Sequence, residues 1–132
     1  MQQCIVIADD DLLIIDLVRT RLVMAQYRVI ATHDAVTAVE MVRTNKPVAV
    51  IMDVQMPGGG GLSALSKIKS DPKTRPVPVM MLTGERGADT VLQAMDAGAD
   101  DYMVKPFHPD LLLERVSRLV SRAEKAAAVW EL

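Results

Sequence analysis

Five short apolar segments recur along the chain, and each is followed by residues with the spacing of an amphipathic helix. The segments are Cys4–Ala8, Arg28–Ala31, Val48–Met52, Val77–Leu82 and Tyr102–Val104. They are rich in β-branched residues and three are nearly uninterrupted, which is typical of strands buried on both faces of a parallel sheet. The helices predicted between and after them are Asp11–Gln26, Ala35–Asn45, Leu62–Ser70, Asp89–Ala97 and Pro109–Ala128.

This alternation of strand and helix predicts an α/β fold with helices on both faces of the sheet. Right-handed crossovers favour a flavodoxin-like (βα)5 doubly wound sandwich with a five-stranded parallel sheet of order 2-1-3-4-5. In such sheets ligands bind at the carboxyl ends of the strands, near the point where the strand order reverses. The residues that follow each predicted strand are therefore the first candidates for a functional site.

The length, charge and residue composition of the chain exclude several classes of protein function. A chain of 132 residues suggests one domain, and the low aromatic content of 3% requires an aliphatic core. The net charge of −2 gives no bulk electrostatic argument for binding nucleic acid or an anionic membrane. The sequence contains no apolar run of the roughly 20 residues that a membrane span needs and no secretory signal. Cys4 is the only cysteine, which excludes an internal disulfide, and we expect a cytoplasmic protein.

Acidic and phosphate-binding residue types follow four of the five strands. The first strand ends in Asp9-Asp10-Asp11 and the third in Asp53, while Thr83 and Lys105 follow the fourth and fifth. Several carboxylates in one pocket repel each other unless a cation is present, and oxygen ligands with room for water favour Mg²⁺. Lys105 adds a positive charge and Thr83 a hydroxyl, a combination that suits phosphoryl transfer. Asp53, alone at the end of the central strand, is the best nucleophile candidate.

The motifs IVIADDD, IMDVQMPGGGG, VMMLTG and GADDYMVKPF occur in this order, each at the end of a predicted strand. Together they resemble the receiver domain of two-component response regulators over residues 3–122. We assign residues 1–122 to a receiver domain. Residues 123–132 are assigned to an extension of the fifth helix or the start of a linker that contains Trp130.

The resemblance implies a role for each matching residue. Asp9 and Asp10 form the acidic pair that holds Mg²⁺, with Asp10 the more direct ligand. Asp53 is the phosphoacceptor and also a metal ligand, and the backbone carbonyl of Gln55 is a further ligand. Gln55 and Glu85 are expected to set the lifetime of the phosphorylated state.

The same resemblance assigns the residues that respond to phosphorylation. Thr83 and Lys105 are expected to bind the phosphoryl oxygens, and Tyr102 to act as the aromatic switch that responds to Thr83. The Lys105–Pro106 peptide bond is expected to be cis, a state that proline tolerates better than other residues.

The implied function is a phosphorylation-activated switch rather than a turnover enzyme. A histidine kinase or histidine phosphotransfer protein would donate the phosphoryl group. The face formed by the fourth helix, the fifth strand and the fifth helix would contact a downstream protein, without direct binding to nucleic acid or membrane. We expect a monomer or a weak phosphorylation-dependent dimer. The alternative is an excised N-terminal receiver of a larger transcription factor, cyclase or hybrid kinase.

Two features depart from the family pattern. Val91 and Leu111 stand where winged-helix regulators carry a basic and an acidic partner, although Asp100, Asp101 and Arg115 could still form charge pairs. One interpretation is an apolar docking surface that involves Val91, Met95 and Leu111, and the alternative is that one or two of these residues belong to the core. The second departure is Gly58–Gly61, whose spacing is not that of a P-loop, so it predicts a flexible loop that Mg²⁺ or phosphoryl binding orders.

Two further residues are predicted to have structural roles only. Asp11 is expected to cap the first helix, and Cys4 to be a small core residue. His33 and His108 do not lie in a helical-bundle context, so neither is expected to be a phosphorelay histidine.

Two rival functions are a flavin-binding module and an aspartate-nucleophile hydrolase. Three aspartates occupy the position of a flavin phosphate loop, and Gln55 replaces the general acid of such hydrolases.

Overall fold

The chain alternates strictly between strand and helix. The computed structural model describes residues 2–84 and 88–131. The strands are β1 (Cys4–Ala8), β2 (Arg28–Thr32), β3 (Ala49–Asp53), β4 (Val79–Thr83) and β5 (Asp101–Val104). The helices are α1 (Leu12–Met24), α2 (Ala35–Asn45), α3 (Gly60–Ser70), α4 (Ala88–Asp96) and α5 (Pro109–Glu131).

All five strands pair in one parallel sheet of order β2-β1-β3-β4-β5, which confirms the predicted topology. From β1 the chain first moves outward to β2 and then returns to β3 on the other side of β1. The strand order therefore reverses between β1 and β3. This is the position where parallel sheets of this type leave a crevice at their carboxyl ends.

Two aliphatic cores lie on opposite faces of the sheet. On one face Ile5 and Ile7 pack with α1 and α5. On the other face Val6 and Ala8 pack with α2, α3 and α4. Successive residues of a strand point to opposite faces, so a strand between two helical layers must be apolar at every position. β1, β3 and β4 are accordingly buried throughout, and the predicted core position of Cys4 is confirmed.

The ends of two helices follow the local rules that the sequence suggested. The Asp11 carboxylate accepts a hydrogen bond from the Leu13 N–H at 2.9 Å and caps α1, as predicted. Gly98 follows α4 with a φ of +102°, a conformation that glycine adopts without steric cost.

Several predicted boundaries were wrong by one to three residues, and three of them have a clear physical reason or consequence. α1 ends at Met24 rather than Gln26, whose φ of +71° is incompatible with a continuing helix. β4 starts at Val79 rather than Val77, because the flanking Pro76 and Pro78 lack the N–H that a ladder requires. β3 runs to Asp53 and includes this residue, which pairs with Leu82 of β4.

The glycine-rich connection after β3 has a defined conformation. Gly58, Gly59 and Gly60 have φ values of +84°, +102° and +86°. α3 begins at Gly60, so the predicted start at Leu62 was wrong. Whether Mg²⁺ or a phosphoryl group changes the mobility of this connection stays a prediction.

Gly61 is required for a different reason, the close approach of α3 to the end of β3. Its N–H donates to the Val54 carbonyl at 2.8 Å. A Cβ at this position would lie 1.9 Å from the Asp53 carbonyl oxygen, which is a backbone atom and cannot rotate away. The first turn of α3 therefore fits against Asp53 only with glycine at position 61.

No helix in the described ranges 2–84 and 88–131 is long and apolar enough to cross a membrane.

Gly61→Ala should lower the free energy of unfolding by at least about 2 kcal/mol, because the added methyl group displaces backbone. Urea denaturation followed by circular dichroism measures the change. Gly84→Ala is the matched control, since no atom of the described residues lies within 4 Å of a Cβ placed there. It should stay within about 0.5 kcal/mol of wild type. Equal stability of the two variants would contradict the packing argument.

Candidate functional site

Three carboxylates meet at the carboxyl edge of the sheet. Asp9, Asp10 and Asp53 each offer one oxygen, and these oxygens all lie within 4.8 Å of one another. The parallel register pairs Ala8 of β1 with Met52 of β3, so the residues that follow these two positions lie side by side. Asp9 and Asp53 are buried, whereas Asp10 is exposed.

Lys105 joins this group from the end of β5. Its Nζ donates to Asp9 Oδ2 at 2.7 Å and to Asp53 Oδ2 at 3.2 Å. The Lys105 N–H donates to the Thr83 carbonyl at 2.7 Å, which holds the backbone of Lys105 against the end of β4. One ammonium group therefore bridges two buried carboxylates from a distant part of the chain.

The backbone of Asp9 is held on both sides by the end of β2. Its N–H donates to the Thr32 carbonyl at 3.1 Å, and its carbonyl lies 3.2 Å from His33 Nδ1, which donates in the tautomer protonated at that nitrogen. The Asp9 carboxylate also accepts a bond from the Asp11 N–H at 2.9 Å. Sequence reasoning missed this supporting contact of His33, because no local pattern connects it with Asp9.

The protonation of Asp53 reflects its surroundings. Burial and the neighbouring charge of Asp9 raise the pKa of the Asp53 carboxyl group, against the opposing effects of the Gln55 N–H and Lys105. Burial alone would lower the pKa of Lys105, but its contacts with Asp9 and Asp53 raise it above the ordinary value. Lys105 is therefore a permanent cation at neutral pH.

The donor set fits a hard divalent cation. Three carboxylates against one ammonium leave an excess of negative charge, and all the available ligand atoms are oxygens. Both Asp9 oxygens are engaged, one by the Asp11 N–H and one by Lys105. The Asp10 side chain has no hydrogen bond or ion pair to any described residue. A metal ion could therefore bind the Asp10 carboxylate without displacing a hydrogen bond or an ion pair.

The other predicted site residues surround the carboxylates. Thr83 is buried at the end of β4, one residue beyond Leu82, the partner of Asp53. Gln55 is exposed, and its N–H donates to Asp53 Oδ1 at 3.2 Å. Tyr102 is half-buried in β5, and the Lys105–Pro106 peptide bond is cis. Glu85 lies outside the described residues.

The predicted output face combines apolar and charged side chains. Met95 and Leu111 are exposed and Val91 is half-buried. Leu92, which sequence reasoning did not select, is 59% exposed on the same helix as Met95.

The charged residues of the output face form contacts within the chain. Arg115 lies 3.7 Å from the Asp101 carboxylate and donates to the Tyr102 carbonyl at 3.1 Å. Asp100 accepts a bond from Lys69 at 2.9 Å. Arg115 therefore connects α5 directly with the backbone of Tyr102.

Comparison with known proteins agrees with this geometry. Residues 5–117 match the family described as the response regulator receiver domain. The chain is 34% identical over 121 residues to the DNA-binding dual master transcriptional regulator RpaA of Synechocystis, covering 92% of this chain and 50% of that protein. It is 31% identical over 118 residues to the phosphate regulon transcriptional regulatory protein PhoB of Pseudomonas aeruginosa, covering 89% and 52%. The chain thus spans about half the length of these curated relatives.

Solved structures share the same fold. A response regulator receiver domain protein (CheY-like) from Methanospirillum hungatei JF-1 superposes with a TM-score of 0.89 at 25% identity, covering 96% of this chain and 99% of that one. The chemotaxis response regulator CheY4 of Vibrio cholerae superposes with a TM-score of 0.84 at 26% identity, covering 90% and 99%.

The raised pKa of Asp53 predicts a specific pH dependence. The folded protein holds this proton more tightly than the unfolded chain, so the stability contributed by Asp53 declines as pH rises from the ordinary pKa of 3.8 through the raised one. Asparagine does not titrate, so the Asp53→Asn variant does not lose this stability as pH rises. In EDTA, the variant should therefore gain stability relative to wild type as pH rises through that window, measured by urea denaturation.

Asp34→Asn is the control with the opposite sign. Hydrogen bonds from the Thr37 backbone and side chain lower the pKa of Asp34. Wild type should therefore gain stability relative to Asp34→Asn as pH rises from the lowered pKa of Asp34 to the ordinary value of 3.8, just below the range in which Asp53 acts. Parallel profiles for the two variants would contradict the interpretation of the Asp53 site.

Proposed function

Since the chain belongs to the response regulator receiver domain family, we propose that it is a signalling switch that accepts a phosphoryl group on Asp53. The contact of Lys105 with both Asp9 and Asp53 is the observation that supports this best. It places a fixed cation beside the proposed nucleophile, in a pocket formed by the ends of three strands.

The proposed donor is a phosphohistidine on a kinase or phosphotransfer protein. An Asp53 carboxylate oxygen attacks phosphorus, and the N–P bond breaks with its electron pair retained by the imidazole nitrogen. The product is an acyl phosphate, and Lys105 offsets negative charge on the transferred group. Asp9, Asp10, Asp53 and the Gln55 carbonyl would hold Mg²⁺, which when bound neutralises the carboxylates and draws phosphoryl oxygens into the site.

The response passes through two residues at the end of the sheet. The Thr83 hydroxyl bonds a phosphoryl oxygen, and Tyr102 rotates into the space that Thr83 leaves. Arg115 donates to the Tyr102 carbonyl, so a change at Tyr102 reaches α5 through a direct contact. Through these contacts, phosphorylation would shift the equilibrium between two conformations of the α4-β5-α5 face. That face binds a downstream protein.

Hydrolysis of the acyl phosphate resets the switch. Gln55 and Glu85 are proposed to control access of water to phosphorus and hence the lifetime. The protein assists its own phosphorylation and dephosphorylation, and each cycle ends with release of inorganic phosphate and return of the switch to its resting state. Residues 1–122 would form the receiver and residues 123–132 a helical extension, in keeping with the unbroken course of α5 to Glu131.

A second candidate is the N-terminal receiver of a longer regulator. The coverage of about half of RpaA and PhoB, both described as transcriptional regulators, favours this role. The same Asp53 chemistry would then control an effector domain joined through α5.

Asp53→Asn should reduce phosphate incorporation from acetyl phosphate and Mg²⁺ to background, because the amide cannot form the acyl phosphate. Intact-protein mass spectrometry or Phos-tag electrophoresis measures the modified fraction. Asp96→Asn, at the far end of α4, should incorporate phosphate like wild type. Wild-type incorporation by Asp53→Asn would show that another residue is the acceptor.

Asp10→Asn should weaken Mg²⁺ binding roughly 10-fold or more, the scale on which altered coordination residues act. NMR titration of the amides of Asp10, Asp53 and Gln55 gives the affinity. Asp11→Asn is the matched control, since asparagine preserves the α1 cap. Equal affinities for the two variants would remove Asp10 from the metal site.

A further inference from the structure

The pairing of β1 with β2 ends at Asp9, where a side chain takes the place of the next backbone donor. Ala8 and Thr32 are the last residues of the two strands in register, and the Asp9 N–H still donates to the Thr32 carbonyl at 3.1 Å. In a longer parallel ladder the Asp9 carbonyl would accept the next backbone N–H of the second strand. Here Nδ1 of His33 lies 3.2 Å from that carbonyl oxygen. The His33 ring thus stands where the next ladder bond would form.

The chemistry of this contact determines the tautomer of His33. A carbonyl oxygen offers only lone pairs, so the contact is attractive only when the ring nitrogen that faces it carries a proton. A neutral imidazole has a single N–H, and the hydrogen-bond partner decides which nitrogen carries it. Neutral His33 therefore carries its proton on Nδ1.

The contact affects more than Asp9, because the Asp9 carbonyl and the Asp10 N–H belong to one planar peptide unit. Thr32 holds the peptide unit before Asp9, and His33 holds the unit after it. The second unit sets the direction in which the chain enters Asp10. One Asp10 carboxylate oxygen lies within 4.8 Å of oxygens of Asp9 and Asp53, although the Asp10 side chain has no hydrogen bond or ion pair to any described residue. The position of this carboxylate therefore depends on its backbone.

We propose that His33 is a positioning residue for the metal site, which holds the Asp10 carboxylate in place through the peptide unit between Asp9 and Asp10. The inference rests on the proposed function, in which Asp10 is a ligand of Mg²⁺. Repulsion from Asp9 and Asp53 favours an outward movement of Asp10, which is exposed. A backbone held by His33 limits this movement before a metal ion arrives. The affinity for Mg²⁺ is higher as a result, because less binding free energy is lost in bringing the carboxylates together.

The turn between β2 and α2 does not need the His33 ring for its own structure. The Asp34 carboxylate caps α2 by accepting bonds from the Thr37 N–H at 2.7 Å and the Thr37 hydroxyl at 2.9 Å. The Ala35 N–H donates to the Pro57 carbonyl at 2.9 Å. His33 itself is exposed and belongs to neither aliphatic core. Removal of the ring should therefore leave the fold intact and remove only the contact with the carbonyl at the end of β1.

Mg²⁺ titration followed by NMR at the amides of Asp53 and Gln55 tests the proposal. His33→Ala should weaken Mg²⁺ binding roughly 10-fold, the lower end of the effect of residues that orient metal ligands. His33→Asn should restore the affinity to within about 3-fold of wild type, because its side-chain amide can donate from nearly the position of Nδ1. His108→Ala is the matched control and should bind Mg²⁺ like wild type, since the His108 ring is exposed and accepts its bond from the Asp110 N–H.

The outcomes separate this inference from the proposed function. Equal Mg²⁺ affinity of His33→Ala and wild type overturns the inference alone, and so does a failure of His33→Asn to bind more tightly than His33→Ala. A wild-type chain that binds no Mg²⁺ refutes the metal site of the proposed function, and the inference with it. Urea denaturation in EDTA should give the same midpoint for His33→Ala and His108→Ala. A structural role would lower the midpoint of His33→Ala and leave the Mg²⁺ affinity of the folded protein unchanged, which also overturns the inference.

A long-range ¹H–¹⁵N spectrum of the histidine rings tests the contact without metal. In EDTA at about pH 8, where histidine side chains are ordinarily neutral, the His33 signals should show the proton on Nδ1. The spectrum of His33→Ala identifies these signals by their loss. A proton on Nε2 would leave two acceptors facing each other and would overturn the proposal whatever the Mg²⁺ affinities.

Discussion

Like charges held together at one edge of a parallel sheet are the constraint on which the rest of this structure depends. β1 and β3 run side by side in the same direction, so the acidic residues at their ends cannot separate without breaking the sheet. Lys105 relieves part of the repulsion between Asp9 and Asp53. The remaining negative charge and the all-oxygen donor set suit the site to a hard divalent cation.

The packing around this edge keeps the carboxylates in place. Asp9 is bonded through both its backbone and its side chain, and the first turn of α3 approaches Asp53 closely at Gly61. A mobile carboxylate could swing outward and escape the repulsion. The rigid backbone prevents this, so the electrostatic strain remains available to bind ligands.

Exposed apolar side chains lie on two surfaces, the α4-β5-α5 face and the outer face of α1, and the two surfaces differ in their contacts with the site. In the α4-β5-α5 face, Arg115 of α5 bonds the Tyr102 carbonyl of β5, and this is the contact through which the proposed switch would act. The outer face of α1 follows directly after the acidic residues Asp10 and Asp11, and its pattern does not depend on the state of the pocket.

The sequence by itself determined the fold class, the strand order and the composition of the site. Continuous apolar runs, short connections and strand-end residues are local properties, and chirality leaves few ways to assemble them. Asp9, Asp53 and Lys105 could be selected because parallel strands end at the same edge.

Only the tertiary structure decided what those residues touch. The engagement of both Asp9 oxygens, the support from His33 and the internal contacts of Arg115 join residues far apart in the chain. The sequence also did not predict which apolar residues of α1 are exposed to solvent. An apolar helix residue looks the same there whether it packs on the sheet or faces solvent, and only the position of the helix on the sheet separates the two.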